Sequence, residues 1–199
     1  MHGPTLSYYE ANAERFSEET RHVDMASLYY PFLSLLPQGA HILDAGCGSG
    51  RDSLYFLRNG YEVTAFDVSE KMAGLASSLL GQTVLRTSFD HLSFTRQFDG
   101  VWACASLLHV PRSAMPGVLT RLARSLKPGG AMYTSFKYGD SEGVRDGRFF
   151  SDYDEEGLRA LLRTLPELFI LELWQTLDVR PGKADDVWVN ALIRRRNMA

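Results

Sequence analysis

Residues His41–Ser53 read HILDAGCGSGRDS, three glycines set two apart between a short apolar run and a segment with helical patterning. Bare backbone is needed where φ turns positive or where another group must approach the chain closely. The run before the loop, AHILDAG, is apolar without alternation, the pattern of a strand buried on both faces of a parallel sheet. A loop leaving the carboxyl end of such a strand lies where open parallel sheets bind ligands. The helix that follows adds free N–H groups and a partial positive charge, which favour an anionic group.

The same alternation continues along the chain. Helical patterning over 11–20 and 25–36 precedes the glycine-closed strand, and a helix from Asp52 to Arg58 stops at Asn59-Gly60. YEVTAFD is the next strand, and Ser69 is placed to cap a helix from Glu70 to Leu80. TVLRTS, more polar, reads as a strand near an edge. FDGVWACAS is a fourth strand, with a helix over Arg112–Leu126, a KPGG turn and AMYTSFK as the fifth. Repeated strand–helix alternation predicts an α/β fold, a doubly wound and mostly parallel seven-stranded sheet with right-handed crossovers. After a helix from Asp154 to Leu165, FILELWQTL and DVWVNALIR flank a loop at 178–186, which predicts an antiparallel C-terminal hairpin. We expect one domain over 1–199: a helical lid at 1–38, a cofactor-binding core at 39–137, and a substrate-side loop with the hairpin at 138–199.

Composition narrows the function. With 45% hydrophobic and 23% charged residues the chain can build a core, and a net charge of −3 offers no general attraction to nucleic acid or anionic membrane. No run reaches the roughly 18 apolar residues a membrane span needs, and the N-terminal stretch lacks a signal-peptide core. Two cysteines, Cys47 and Cys104, fit a reducing cytoplasm and no metal spacing, so neither a metal nor a disulfide is expected.

Asp67 closes the second strand, where a carboxylate can accept hydrogen bonds from both hydroxyls of a ribose. The glycine register is G-x-G-x-G and not the G-x-G-x-x-G of dinucleotide folds. Asp44, just before the loop, would repel a pyrophosphate and attract an ammonium group, or it caps backbone amides. Together these favour S-adenosylmethionine over NAD.

LDAGCGSGRDSLYFLRNGYEVTAFDVS, with the later FDGVWACASLLHV and LKPGG, resembles the class I S-adenosylmethionine-dependent methyltransferases over most of the chain. GCGSGRDSLYFLRNGYEV is similar, within that one motif, to small bacterial tellurite-resistance methyltransferases. The resemblance implies methyl transfer to a small-molecule acceptor by in-line displacement, in a monomer or homodimer. It places Asp44, Gly46, Cys47, Gly48 and Gly50 around the methionine part and Asp67 on the ribose. Val68 then packs on adenine, with Ser88 and Phe89 nearby; Ser88 stands where the family often has an acid. Ala103 and Ser106 border the methyl donor. His109, after the fourth strand, is either a general base or a residue bracing its loop. Acceptor contacts are expected from Tyr9, Lys137, Tyr138 and Arg145, with Arg148, Phe149 and Tyr153 in the same insertion. An NAD-dependent oxidoreductase and an inactive S-adenosylmethionine-binding protein remain as rival readings.

Overall fold

The computed structural model describes residues 3–180, 182–183 and 185–197. Its large sheet has seven strands: β1 (His41–Ala45), β2 (Glu62–Asp67), β3 (Leu85–Arg86), β4 (Phe98–Ala103), β5 (Leu126–Lys137), β8 (Leu168–Leu177) and β9 (Val187–Arg195). They lie in the order β3-β2-β1-β4-β5-β9-β8. The first five pair in parallel, and β9 runs antiparallel to both β5 and β8. Strand order therefore reverses between β1 and β4, directly below the glycine loop.

Both faces of the sheet are covered because its central strands are apolar on both. Leu43, Val101 and Met132 face α5 (Met115–Ser125) and α6 (Glu155–Arg163), meeting Leu119, Leu122 and Leu158. Ile42, Trp102 and Tyr133 face α2 (Ala26–Leu33) and α3 (Arg51–Arg58), meeting Phe32 and Phe56. Trp102 stacks on Tyr133 with ring centroids 4.0 Å apart, a rigid aromatic floor under the functional end. Gly100 in β4 is required by that packing: a Cβ there would sit 2.7 Å from Phe32 Cζ and 2.9 Å from Leu36 Cδ1. Because Phe32 is fully buried, Gly100→Val is expected to cost about 1–3 kcal/mol of stability, read as a lower urea midpoint with unchanged slope.

The structure corrects several boundaries. The first helix, α1 (Gly3–Thr20), starts well before residue 11 and kinks at Asn12, whose side-chain amide donates to the Tyr8 carbonyl at 2.8 Å. The second helix ends at Leu33, short of Leu36. The helix expected over Arg112–Leu126 is confined to Met115–Ser125, since Leu126 already belongs to β5. α4 spans Glu70–Leu80 as expected, and the Ser69 hydroxyl accepts from the Met72 amide. The polar insertion after β5 is not a loop. It forms a separate two-stranded hairpin, β6 (Glu142–Arg145) and β7 (Arg148–Ser151). Asp146 and Gly147 both have positive φ at its tip, the backbone of a tight two-residue hairpin turn.

Candidate cofactor and acceptor site

The glycine loop hangs on β2: the amides of Gly46 and Cys47 both donate to the Phe66 carbonyl, at 3.0 and 2.9 Å. All three glycines have positive φ, yet their surroundings differ. A Cβ on Gly46 would lie 2.7 Å from Ser106 Cβ, and one on Gly50 would lie 3.1 Å from Ala76 Cβ in α4. A Cβ on Gly48 would meet nothing within 4 Å. Gly46 and Gly50 thus let chain segments close on one another, while Gly48 presents bare backbone to open space.

That space is a cavity of about 630 Å³, whose wall includes Gly46, Cys47, Gly48 and Asp67 together with Tyr9, His109, Arg145 and Arg148. Asp67 is held rigidly: the Gly48 amide donates to Oδ2 and the Ser69 amide to Oδ1, each at 2.9 Å. The Val68 backbone is a further partner, and a carboxylate, with about four acceptor sites, keeps capacity for a ligand donor beside these amides. Burial pushes the Asp67 carboxyl up from its ordinary value, and further donors relieve that cost.

Below the loop, Arg51 and Asp52 form a buried ion pair with N–O separations of 2.6 and 3.0 Å. Asp52 also accepts from the Tyr29 hydroxyl at 2.6 Å and from Trp102 Nε1 at 2.8 Å. Burial pushes its carboxyl up, but the Arg51 charge and these hydrogen bonds outweigh burial and hold it below the usual value. Asp44 has weaker company. Among the described residues only the Ser53 hydroxyl donates to it, at 2.6 Å, and burial with the neighbouring Asp52 charge pushes its carboxyl up to about 8. Nothing in the sequence marked Asp52 as a buried hub; its position in the first turn of α3 reads equally well as a surface acid.

Helix α1 lies along the other side. Thr5 Oγ1 accepts from the Phe149 amide at 2.8 Å, and Glu10 Oε1 accepts from the Glu70 amide at 2.7 Å, so α1 spans from β7 to α4. Between them the Tyr9 hydroxyl meets His109 Nε2 at 3.0 Å, and His109 Nδ1 lies 2.6 Å from the Phe149 carbonyl. A carbonyl only accepts, so Nδ1 carries the proton and Tyr9 donates to Nε2. Burial pushes His109 down to about 4. The imidazole is neutral at pH 7 and both its nitrogens are engaged, which fits the bracing role better than that of a free base. Linkage follows directly: the depressed value contributes stability above about pH 6.5 that is lost as pH falls toward 4. His109→Gln is expected to flatten the fall in urea midpoint between pH 6.5 and 4.

The remaining sequence-predicted residues divide plainly. Cys47, Ser106, Lys137 and Tyr138 line the cavity with those above. Ser106 is occupied, donating to the Ala45 carbonyl at 2.6 Å. Lys137 is paired with Asp186 at 2.7 Å and Asp178 at 3.3 Å, and Arg145 with Asp152 at 2.5 and 2.6 Å. Asp44, Gly50, Val68, Ser88, Phe89 and Ala103 do not line it. Ser88 hydrogen bonds to His91 at 3.0 Å, Phe89 packs edge-on against Phe66, and Ala103 is fully buried in β4. Burial raises both thiols, Cys104 to about 12, so neither is a nucleophile near neutrality. Among the described residues no group of three histidine, cysteine, aspartate or glutamate side chains is placed to hold a metal ion, and no helix is long and apolar enough to cross a membrane.

Residues 42–130 match the family model described as a methyltransferase domain. The chain is similar to methyltransferases in sequence over part of its length and to S-adenosylmethionine-dependent methyltransferases in fold over most of it. Among its relatives is the ubiquinone biosynthesis O-methyltransferase of Dechloromonas aromatica, 35% identical over 104 residues, which are 49% of this chain and 44% of that protein. The chain spans about half the length of the curated relatives it matches. In structure it is similar to the Burkholderia thailandensis 1,6-didemethyltoxoflavin-N1-methyltransferase, solved with 1,6-didemethyltoxoflavin and S-adenosylhomocysteine. The TM-score there is 0.78 at 24% identity, covering 96% of this chain and 87% of the other. The [4+2]-cyclase SpnF is as close in fold, with a TM-score of 0.77 at 18% identity and 98% of each chain covered. The family's fold is therefore shared by a protein named for a different reaction, and activity has to be argued from the site.

Proposed function

We propose that this chain transfers the methyl group of S-adenosylmethionine to a small-molecule acceptor. The observation that carries the reading is the pairing of Gly48 with Asp67: open backbone beside a buried carboxylate held by backbone amides with acceptor capacity left over, on the wall of one cavity. A nucleoside with two ribose hydroxyls fits that arrangement, and the loop glycines leave room for the chain beyond it. Bound there, S-adenosylmethionine supplies a methyl group on a sulfonium, activated for in-line displacement.

The protein's own part is to orient and to exclude water. Asp67 holds the ribose end, the loop backbone from Gly46 to Gly48 flanks the middle, and the acceptor enters from the side of Tyr9, His109 and β6–β7. His109 holds Tyr9 in place, and through it the lid. The cavity has room for a metabolite beside the cofactor and lies within the 300–1,000 Å³ usual for small-ligand sites. NAD is disfavoured by the register of the glycines.

Calorimetry decides between these. Micromolar binding of S-adenosylhomocysteine, with no heat from NADH, is the expected result for the purified protein. NADH binding with neither S-adenosyl compound bound would overturn the reading.

A further inference from the structure

Among the described residues six lysine and arginine side chains line the cavity, and four of them are neutralised. Arg51, Lys137, Arg145 and Arg180 each have a carboxylate within 2.5–2.7 Å. Arg148 does not. Among the described residues no aspartate or glutamate lies within 4 Å of its guanidinium, although Arg145, three residues earlier on the same hairpin, forms a two-pronged pair with Asp152. Arg148 instead lies over the Tyr8 ring at 4.5 Å and the Phe150 ring at 5.1 Å, and its Nε is buried without a hydrogen-bond acceptor. Lys183, the other unpaired lining cation, is exposed on the 178–186 loop, where water solvates it.

The half-buried guanidinium also meets the Tyr9 side chain, but its buried Nε is an unmet donor, which is costly unless a ligand supplies an acceptor. Its setting states the kind of ligand. Tyr9, Phe150 and His109 make the adjacent wall aromatic, with Tyr9 and His109 edge to face at 5.6 Å and His109 and Phe150 at 5.1 Å. Both nitrogens of His109 are taken, so this imidazole is not free to strip a proton from an acceptor. An acceptor that arrives as an anion has no such proton to surrender.

Building on the proposed methyl transfer, we propose that Arg148 is the acceptor-recognition residue and that the acceptor is a ring-sized organic anion whose charged oxygen meets its guanidinium. The paired cations around it do not compete, because their charges are already answered. Arginine suits the task, since a carboxylate or enolate oxygen finds two parallel donors on one planar group.

Benzoate and benzyl alcohol, equal in ring and nearly in size, are the probes. Each is titrated by calorimetry into protein saturated with S-adenosylhomocysteine. Benzoate is expected to bind at least about tenfold more tightly than benzyl alcohol, and Arg148→Met to bring the two within about twofold. Arg148→Lys retains part of the preference and keeps the proposal testable should the methionine variant fail to fold by thermal melting. S-adenosylhomocysteine affinity stays within about twofold of wild type in both variants. Equal binding of the two probes, binding of neither, or a benzoate preference that survives Arg148→Met each overturns the proposal. So does a tenfold loss of S-adenosylhomocysteine affinity in the variants, which would put Arg148 on the cofactor. If wild-type protein binds no S-adenosylhomocysteine at all, the failure lies instead with the proposed methyl transfer.

Discussion

Asp52→Ala is expected to destabilise the protein by about 3–5 kcal/mol, enough to take a large share of a typical domain's stability. Asp52 is 7% exposed and gathers Arg51, Tyr29 and Trp102 around one carboxylate. Alanine leaves the Arg51 guanidinium without its counter-charge in a site that burial has largely dehydrated, and leaves two buried donors unmet. The Arg51 side chain keeps 22% of its exposure, so water recovers part of the loss and the lower end of the range applies. Tyr29→Phe removes one donor only and is expected to cost about 1 kcal/mol. Urea unfolding of the two variants checks the difference. An Asp52→Ala midpoint no lower than that of Tyr29→Phe would show that the ion pair contributes nothing beyond its hydrogen bonds. The sign with pH follows from the depressed Asp52 carboxyl: its stabilisation is present above the usual carboxylate value and is lost as pH falls through the lower folded value.

Asp67→Ala acts on binding. Its oxygens are held by backbone amides on the cavity wall, so alanine removes the contacts proposed for the ribose and frees the Gly48 and Ser69 amides. A loss of about 1–3 kcal/mol in S-adenosylhomocysteine affinity is expected, roughly fivefold to over a hundredfold. Asp67→Asn keeps an oxygen for one side and is expected to lose less. Calorimetry on folded variants reads both, and an unchanged affinity in Asp67→Ala would remove the ribose from this carboxylate.

The cofactor half of the site was legible because its signals are local. The apolar run of β1, the spaced glycines and the acid closing β2 are neighbours in sequence, and pairing Ala45 with Phe66 in register makes them neighbours in space. Gly50 shows the limit: its positive φ was readable, but its service to the packing of Ala76 depends on where α4 lies. The acceptor half depends on contacts across long stretches of chain. Tyr9 and His109 stand a hundred residues apart, and patterning cannot tell which of Arg145 and Arg148 finds a carboxylate. The β6–β7 hairpin escaped notice because Glu142–Arg145 is polar and mostly exposed, without the alternating apolar face that marks a strand. Its one local signal was Asp146-Gly147, a dipeptide that favours tight hairpin turns.

That hairpin pairs with no strand of the large sheet. Its side chains can therefore be exchanged without breaking a single rung of the seven-stranded ladder that supports the glycine loop. Under the proposed function, cofactor handling and acceptor choice sit on separable pieces of chain, and one can drift, or be redesigned, while the other stands still.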